Sequence, residues 1–234
     1  MFYFDKINGK KILKSDYLKN VQHFFTTRET IIKSKELEMA DIVEENKRLI
    51  KDFIGVKELI SPSQTHSANI DFAKVGKFEY PETDALILAN SEQGIFLNFA
   101  DCTPIILYDK KQKIGAISHA GWRGTVQKIV PKTVREMNSD SKDIIAVIGP
   151  AISLCCYEVG EEVFEQLKLT VNDFSGLFDG RKVDLKGING RQLEEIGVEN
   201  IDICPYCTSC NNDLFFSYRK ENGTTNRHSA VLKL

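Results

Sequence analysis

The sequence predicts an α/β (α+β) fold, a single layered domain over residues 1–234 with mixed β-sheets flanked by helices. Two observations predict the class. Short apolar runs with the length of strands recur from end to end, and a few segments of helical periodicity are set among them. The interleaving is irregular, without the regular strand–helix–strand rhythm of a doubly wound Rossmann sheet. A third observation concerns organisation. No internal repeat, low-complexity tract or Pro/Gly/Ser-rich linker divides the 234 residues, so one continuous domain is expected.

The first strand is expected at Val21–Thr27. Ser34–Ile54 reads as an amphipathic helix, with Leu37, Ile42, Val43, Leu49, Ile50 and Phe53 at roughly helical spacing. Strands follow at Glu58–Ser61, Asn69–Ala73 and Ala85–Leu88. Gly94–Phe99 and Thr103–Tyr108 are strand-like around a bend at Asp101-Cys102, and Lys113–Ser118 is a strand of small residues. Thr125–Met137 reads as a helix kinked at Pro131. Ile144–Ile148 is a buried strand ending in Gly149-Pro150. Glu158–Leu167 and Leu185–Ile196 read as helices, and Ile201–Ile203, Leu214–Tyr218 and Ala230–Leu234 as strands.

Composition narrows the function classes. With 42% hydrophobic and 27% charged residues and a formal net charge of −2, the chain has the balance of a globular protein. No basic stripe suggests nucleic acid, and no basic amphipathic helix suggests a membrane surface. Asp101 and Asp109 break the longest apolar runs, well short of the ~20 residues of a spanning helix. Met1-Phe2-Tyr3-Phe4-Asp5-Lys6 lacks the layout of a signal peptide, so a cytoplasmic location is expected. Six cysteines in such a chain read as ligands, catalysts or small buried hydrophobes, not as a disulfide framework.

Three residues carry the chemistry: His66 in Ser63-Gln64-Thr65-His66, Cys102 in Ala100-Asp101-Cys102, and His119 in Ser118-His119-Ala120-Gly121-Trp122-Arg123-Gly124. Each follows an apolar run that reads as a strand. A lone histidine or cysteine is most often structural, but their shared placement at strand ends favours a common site. Two imidazoles and a thiolate suit zinc or copper. Three protein ligands leave a fourth position open, as in catalytic zinc sites. Asp101 is either a turn residue or a carboxylate that orients a ligand imidazole or carries a proton. Gly121-Trp122-Arg123-Gly124 opens a helix whose free amides, with the Arg123 guanidinium, suit an anion such as phosphate. Trp122, the only tryptophan, is either a core ring or a platform for an aromatic substrate. The residue types also fit a metal-free cysteine hydrolase, with Cys102 as nucleophile and His119 or His66 as base, or a non-catalytic zinc-binding module.

Taken together these residues resemble the YfiH/laccase-domain family, also called the multicopper polyphenol oxidase or purine nucleoside phosphorylase family. The resemblance runs through Phe25-Thr26-Thr27-Arg28, Gln64-Thr65-His66, Thr83-Asp84-Ala85-Leu86, Ala100-Asp101-Cys102-Thr103-Pro104 and His119-Ala120-Gly121-Trp122-Arg123-Gly124. It continues through Ile148-Gly149-Pro150, Cys156-Tyr157-Glu158-Val159 and Phe216-Ser217-Tyr218-Arg219. It implies a YfiH-like layered fold and zinc held by His66, Cys102 and His119. It implies phosphorolysis of adenosine, inosine and methylthioadenosine to free base and ribose 1-phosphate, with adenosine deamination at purine C6 as a second activity. Cys102, His119 and Asp101 are then the catalytic candidates. Arg28, Gln64, Trp122, Arg123 and Arg219 are the candidates for binding nucleoside and phosphate, in a monomer or small homo-oligomer.

The older copper label fits poorly. A multicopper centre needs about ten imidazole and thiolate ligands, and this chain has four histidines. Its methionines, Met1, Met39 and Met137, lie far in sequence from the three candidate ligands.

Two departures from the family pattern stand out. Arg28 is followed by Glu29-Thr30 and a short loop in place of Gly-Gly and a long one, so part of a substrate wall is expected to be missing. Asn226, in Thr225-Asn226-Arg227, replaces a glycine and is expected in a left-handed conformation. Cys204, Cys207 and Cys210 make two Cys-x-x-Cys steps. A closed zinc site needs a fourth ligand that Cys155, Cys156 or His228 supplies only through the fold. The expectation is buried or redox-inert cysteines, with His23 and His228 structural.

Overall fold

The computed structural model describes residues 1–234. The strands are β1 Phe2–Ile7, β2 Lys10–Ser15, β3 Gln22–Thr26, β4 Glu58–Ile60, β5 Ile70–Phe72, β6 Ala85–Leu88 and β7 Gln93–Phe99, then β8 Thr103–Asp109, β9 Ile114–Ala120, β10 Ile144–Ile148, β11 Phe178–Asp179, β12 Lys182–Val183, β13 Asn200–Ile203 and β14 His228–Lys233. The helices are α1 Ala40–Ile54, α2 Trp122–Val126, α3 Ile129–Glu136, α4 Glu161–Lys168 and α5 Leu185–Glu195. Two six-stranded sheets run in the orders β1-β2-β3-β14-β7-β4 and β13-β10-β8-β9-β6-β5. Both are mixed, since β4–β7, β5–β6 and β10–β13 are parallel and the other pairs antiparallel.

Side-chain alternation stacks the sheets face to face. On β8, Ile106 and Tyr108 enter a core shared with Leu13, Phe25, Leu97 and Leu232 of the first sheet. Ile105 and Leu107 point the other way, against Ile129, Val130 and Val134 of α3 and Leu193 of α5. The outer face of the first sheet is covered by Ile50 and Ile54 of α1, packed on Ile12, Phe24, Phe96 and Val231. The order of layers is helix, sheet, sheet, helix. Burial on both faces explains why β6 and β8 read as unbroken apolar runs without polar alternation.

Several elements differ from the sequence expectation. The hairpin β1–β2 adds to the expected strands. Asn8 (φ 47°) and Gly9 (φ 82°) make its turn, the Asn-Gly pairing that suits the twist of a two-residue hairpin. Helix α1 starts at Ala40 after a short 3₁₀ turn, not at Ser34; the segment before it is tied to the far end of the chain, by the Lys33–Arg227 bridge and by Thr225 and Asn226 donating to Glu36. The expected helix over 125–137 is two helices, α2 and α3, broken at Lys128 (φ 56°, ψ 46°). Pro131 causes no kink; it sits in the first turn of α3, where a missing N–H costs nothing. Leu214–Tyr218 is not a strand. Phe215 and Phe216 are buried, but the amides of Leu214 and Phe215 donate to the Asn211 carbonyl, and that of Ser217 to the Glu221 carboxylate. Asn226 has no positive φ; Asn222 and Gly223 carry the left-handed turn, and the Asn226 side chain donates to Glu36. No helix is long and apolar enough to cross a membrane.

Gly149, just past β10, lies under the ring of Phe25 from the opposing sheet. A Cβ there would sit 2.2 Å from a ring carbon. Gly149→Ala is therefore expected to destabilise by about 1–3 kcal/mol through overpacking. Phe25→Leu should recover much of that loss, which a urea-unfolding double-mutant cycle reads as strong coupling; additive effects would contradict the contact.

Candidate functional site

Three connections converge at one end of the paired sheets. His66 lies on the loop from β4 to β5, Cys102 in the turn from β7 to β8, and His119 on the penultimate residue of β9. The β7–β8 turn is the crossover between sheets, and Asp101 makes the corner at φ 88°. Register does the rest. Pro104 pairs with His119 across β8–β9, which sets Cys102 beside the end of β9. The ligand atoms of His66, Cys102 and His119 all lie within 4.8 Å of one another, and the two imidazole rings meet edge to face at 4.9 Å between centroids.

Asp84 organises this cluster. It immediately precedes β6, and the β6–β9 register pairs Ala85 with Ser118, which brings Asp84 opposite His119. Its fully buried carboxylate accepts from His119 Nδ1 at 2.7 Å, from Ser67 Oγ and the Ser67 amide at 2.7 Å each, and from the Thr65 and His66 amides at 3.1 Å each. Burial opposes the charge, but His119 and Ser67 hold this carboxyl well below the usual carboxylate range. Two consequences follow. The Asp84–His119 bond fixes the proton on Nδ1 and leaves Nε2 for the cluster. The three amide bonds curl the 61–69 loop, holding His66 in its left-handed conformation (φ 63°).

In the metal-free protein the cluster forms an ion pair. Burial alone would push the Cys102 thiol up, but His119 and His66 outweigh it and bring it down to about 6. Burial would lower His119, yet the Cys102 thiolate and Asp84 raise it to about 9. Gly121 makes room for this packing. A Cβ on it would lie 3.0 Å from Cys102 Sγ and 3.3 Å from His66 Cδ2. Softness of the sulfur, the lone pairs of two imidazoles and a partner for Nδ1 together fit a bound zinc ion.

The cluster opens into a cavity of about 990 Å³. Gln64 and Arg219 line it, as does Asp101. The Gln64 amide exchanges two 2.9 Å hydrogen bonds with the Asn98 backbone and so ties the His66 loop to β7. Asp101 accepts from Thr208 Oγ1 and from the Arg219 amide, both at 2.7 Å. Arg28, Trp122 and Arg123 are not brought to the wall. Arg28 pairs with Glu221 at 2.9 Å and stacks on Phe216. Trp122 packs against the cluster around α4 and α5, with Arg123 stacked on its outer face.

Residues that the sequence reading passed over fill those places. Lys33, Lys35, Lys47 and Arg227 join Arg219 on the wall, where Asp101 is the only carboxylate. Lys33 and Lys35 come from the short loop after Arg28, so that loop does contribute a wall. Asp84 and Tyr157 stood inside recognised strings, Thr83-Asp84-Ala85-Leu86 and Cys156-Tyr157-Glu158-Val159, but were given no role. The other two histidines are buried within the sheets. His23 accepts from the Ser15 amide, and burial pushes it down to about 4. His228 packs between Phe99 and Phe215, and burial takes it to about 3. The cysteines depart from expectation: Cys155, Cys156, Cys207 and Cys210 gather into a second group, while Cys204 is buried apart.

Comparison with known proteins agrees with this fold. A family model described as multi-copper polyphenol oxidoreductase laccase matches residues 23–234. A protein of Clostridium acetobutylicum named purine nucleoside phosphorylase is 35% identical over 192 residues, covering 78% of this chain and 80% of that protein. One of the same name from Bacteroides thetaiotaomicron is 31% identical, covering 86% and 87%. The solved structure of Bacillus licheniformis hypothetical protein YfiH superposes with a TM-score of 0.89 at 27% identity, over 99% of this chain and 98% of that one. YlmD from Geobacillus stearothermophilus gives 0.87 at 28%, over 98% of each. The expected layered α/β fold is borne out by these neighbours.

Asp84→Asn sets an amide N–H₂ against a ring of donors and should destabilise by about 3–5 kcal/mol, with loss of bound metal. A variant with parental unfolding midpoint and metal content would contradict the hub. In metal-stripped protein, alkylation of Cys102 followed by peptide mass spectrometry should titrate near pH 6, not near 9. The depressed Cys102 pKa stabilises fully above about 9 and is lost as pH falls through about 6. The raised His119 pKa stabilises fully below 6.5 and is lost as pH rises through about 9, so the metal-free pair is strongest between these limits.

Proposed function

Because this chain belongs to the multi-copper polyphenol oxidoreductase laccase family, with relatives named purine nucleoside phosphorylase, we propose that it is a zinc-dependent purine nucleoside phosphorylase. Its substrates are adenosine, inosine and methylthioadenosine, and adenosine deamination is a second activity of the same cleft. The observation that carries the reading is the pairing of a two-imidazole, one-thiolate cluster with a cavity whose wall bears five basic side chains and one carboxylate. Its volume falls in the ~300–1,000 Å³ range of small-molecule sites.

His66, Cys102 and His119 would hold the zinc, which when bound supplies Lewis acidity at the cavity floor. Phosphate enters the basic part of the wall. Arg227 suits it best, because only one of its terminal nitrogens is engaged, on the Thr224 and Asn226 carbonyls, and no carboxylate pairs with it. Arg219, Lys33 and Lys35 likewise lack carboxylate partners and add attraction for a dianion. Held beside the ribose, phosphate attacks the anomeric carbon as the C–N bond to the purine breaks. Tyr157 remains a protonated donor, since burial and the Cys102 thiolate push its phenol above its ordinary value. Asp101, with lone pairs beyond its bonds to Thr208 and Arg219, is assigned the proton carried to or from the base. Gln64 acts by fixing the loop that carries His66.

The multicopper reading has no support in the ligand inventory. His23 and His228 are buried inside the first sheet, and Met137 lies on the far face of the second. One observation favours a second reading: the Cys102–His119 ion pair is what a metal-free cysteine hydrolase needs.

Release of hypoxanthine from inosine should require phosphate and yield ribose 1-phosphate. Arg227→Gln should lower kcat/KM for phosphate by about 10–100-fold, the worth of one or two charge-assisted hydrogen bonds. His119→Ala should lose the zinc of the His66/Cys102/His119 cluster together with the activity. Base release that ignores phosphate, in a protein without metal, would favour the cysteine hydrolase.

A further inference from the structure

Cys155 and Cys156 lie on the loop after β10, while Cys207 and Cys210 lie on the loop after β13. Their four sulfurs lie within 4.8 Å of one another. Cys210 Sγ is 3.5 Å from Cys155 Sγ and 3.4 Å from Cys156 Sγ. A zinc–sulfur bond of about 2.3 Å sets the edge of a tetrahedral four-sulfur site at about 3.8 Å, so the two short separations need to widen by only about 0.3–0.4 Å to reach the required spacing. We propose that Cys155, Cys156, Cys207 and Cys210 form a second, closed zinc site, structural in role and separate from the His66/Cys102/His119 cluster.

Three further observations point the same way. The Ser153 amide donates to Cys207 Sγ at 3.4 Å. Amides aimed at a sulfur stabilise thiolate over thiol. Cys207-Thr208-Ser209-Cys210 is a turn, the two-residue spacing that lets one short loop present two sulfurs to one metal. The third observation is a buried charge. Lys186 is 4% exposed and makes no ion pair with a carboxylate; its ammonium donates to the Cys204 and Tyr206 carbonyls, at 2.6 and 3.1 Å. A zinc ion with four thiolates carries net charge −2, and this buried cation, reaching from α5 to the carbonyls of the loop after β13, partly offsets it. Binding displaces a proton from each thiol and involves no oxidation: one Zn²⁺ takes up four thiolates, with four protons released to solvent.

The site staples a wall of the cavity. Ala151 bridges Cys207, and the Thr208 amide donates to the Ala151 carbonyl at 3.1 Å. Thr208, between the two cysteines of the turn, donates to Asp101, and Tyr157 directly follows Cys156. A closed zinc here fixes the loops behind Asp101 and Tyr157, while the open cluster faces the cavity. With four protein ligands it has no position for substrate.

The test is metal content of the full chain purified under reducing conditions without chelator. The parent should carry about two zinc ions, and Cys210→Ser and His119→Ala about one each. Zinc lost in Cys210→Ser but kept in His119→Ala belongs to the four-cysteine site, whatever becomes of the proposed reaction. Because Cys210→Ser can fail to fold, unmutated protein is also labelled with N-ethylmaleimide. The four cysteines should resist labelling together and become reactive together on chelation, with about four thiols freed per zinc. Equal zinc in parent and Cys210→Ser, independent labelling of the four thiols, iron in place of zinc, or a disulfide from Cys210 to Cys155 or Cys156 would each overturn the assignment.

Discussion

The site depends on one buried carboxylate. Placing the charge of Asp84 in the interior costs several kcal/mol unless it is well partnered. Five hydrogen bonds meet that cost, and they come from two different segments: His119 on β9, and Thr65, His66 and Ser67 on the loop after β4. The main chain adds a further tie, because the Asp84 carbonyl accepts the His119 amide at 2.7 Å. One residue thus selects the tautomer of one imidazole, shapes the loop that bears the other, and anchors both to the edge of β6. The donors are aimed before any ligand arrives, which limits the reorganisation that binding requires.

The two-sheet stack explains why the site lies where it does. Cys102 sits at the crossover from β7 in one sheet to β8 in the other, so it stands at the seam between layers. Asp101 holds that corner. Its left-handed backbone is strained for a non-glycine residue, and its side chain is fastened to Thr208 and to the Arg219 amide. The corner therefore joins Cys102 to the far wall of the cavity through a single residue. Gly121 completes the seam by keeping the chain after β9 free of a Cβ that would press on Cys102.

The three cluster residues and most strands were legible in the sequence, for identifiable reasons. Strands buried on both faces leave dense apolar runs, and a ligand placed directly after such a run is conspicuous. Residues whose role arises from register were not legible. Asp84 is an ordinary acid before a strand until β6 pairs with β9. Arg28 was a candidate through the family resemblance and Arg123 through its flanking glycines, but Glu221 with Phe216, and Trp122, hold them elsewhere. The basic wall is assembled from residues nearly two hundred positions apart, joined by the Lys33–Arg227 bridge. A smaller separation in sequence hid the cysteine group, since Cys155 and Cys207 meet only when the loops after β10 and β13 are adjacent. The Asn8-Gly9 hairpin is different: its signal is local and was simply overlooked.

The geometry also weighs between the two chemistries open to Cys102. A cysteine nucleophile needs one base, a route for its electrophile, and an orienting partner for that base. Asp84–His119–Cys102 supplies the base and its orienter, and His66 is then surplus. Yet His66 is the residue for which the structure makes an unusual provision, a left-handed backbone held by a buried carboxylate. A metal needs both imidazoles, the sulfur, and an open direction toward substrate. Without a metal, the same donors would face one another closely, and an imidazolium–thiolate pair would relieve them. The ion pair that resembles a catalytic dyad is thus also the expected resting state of an emptied three-ligand site, and the provision made for His66 favours the latter.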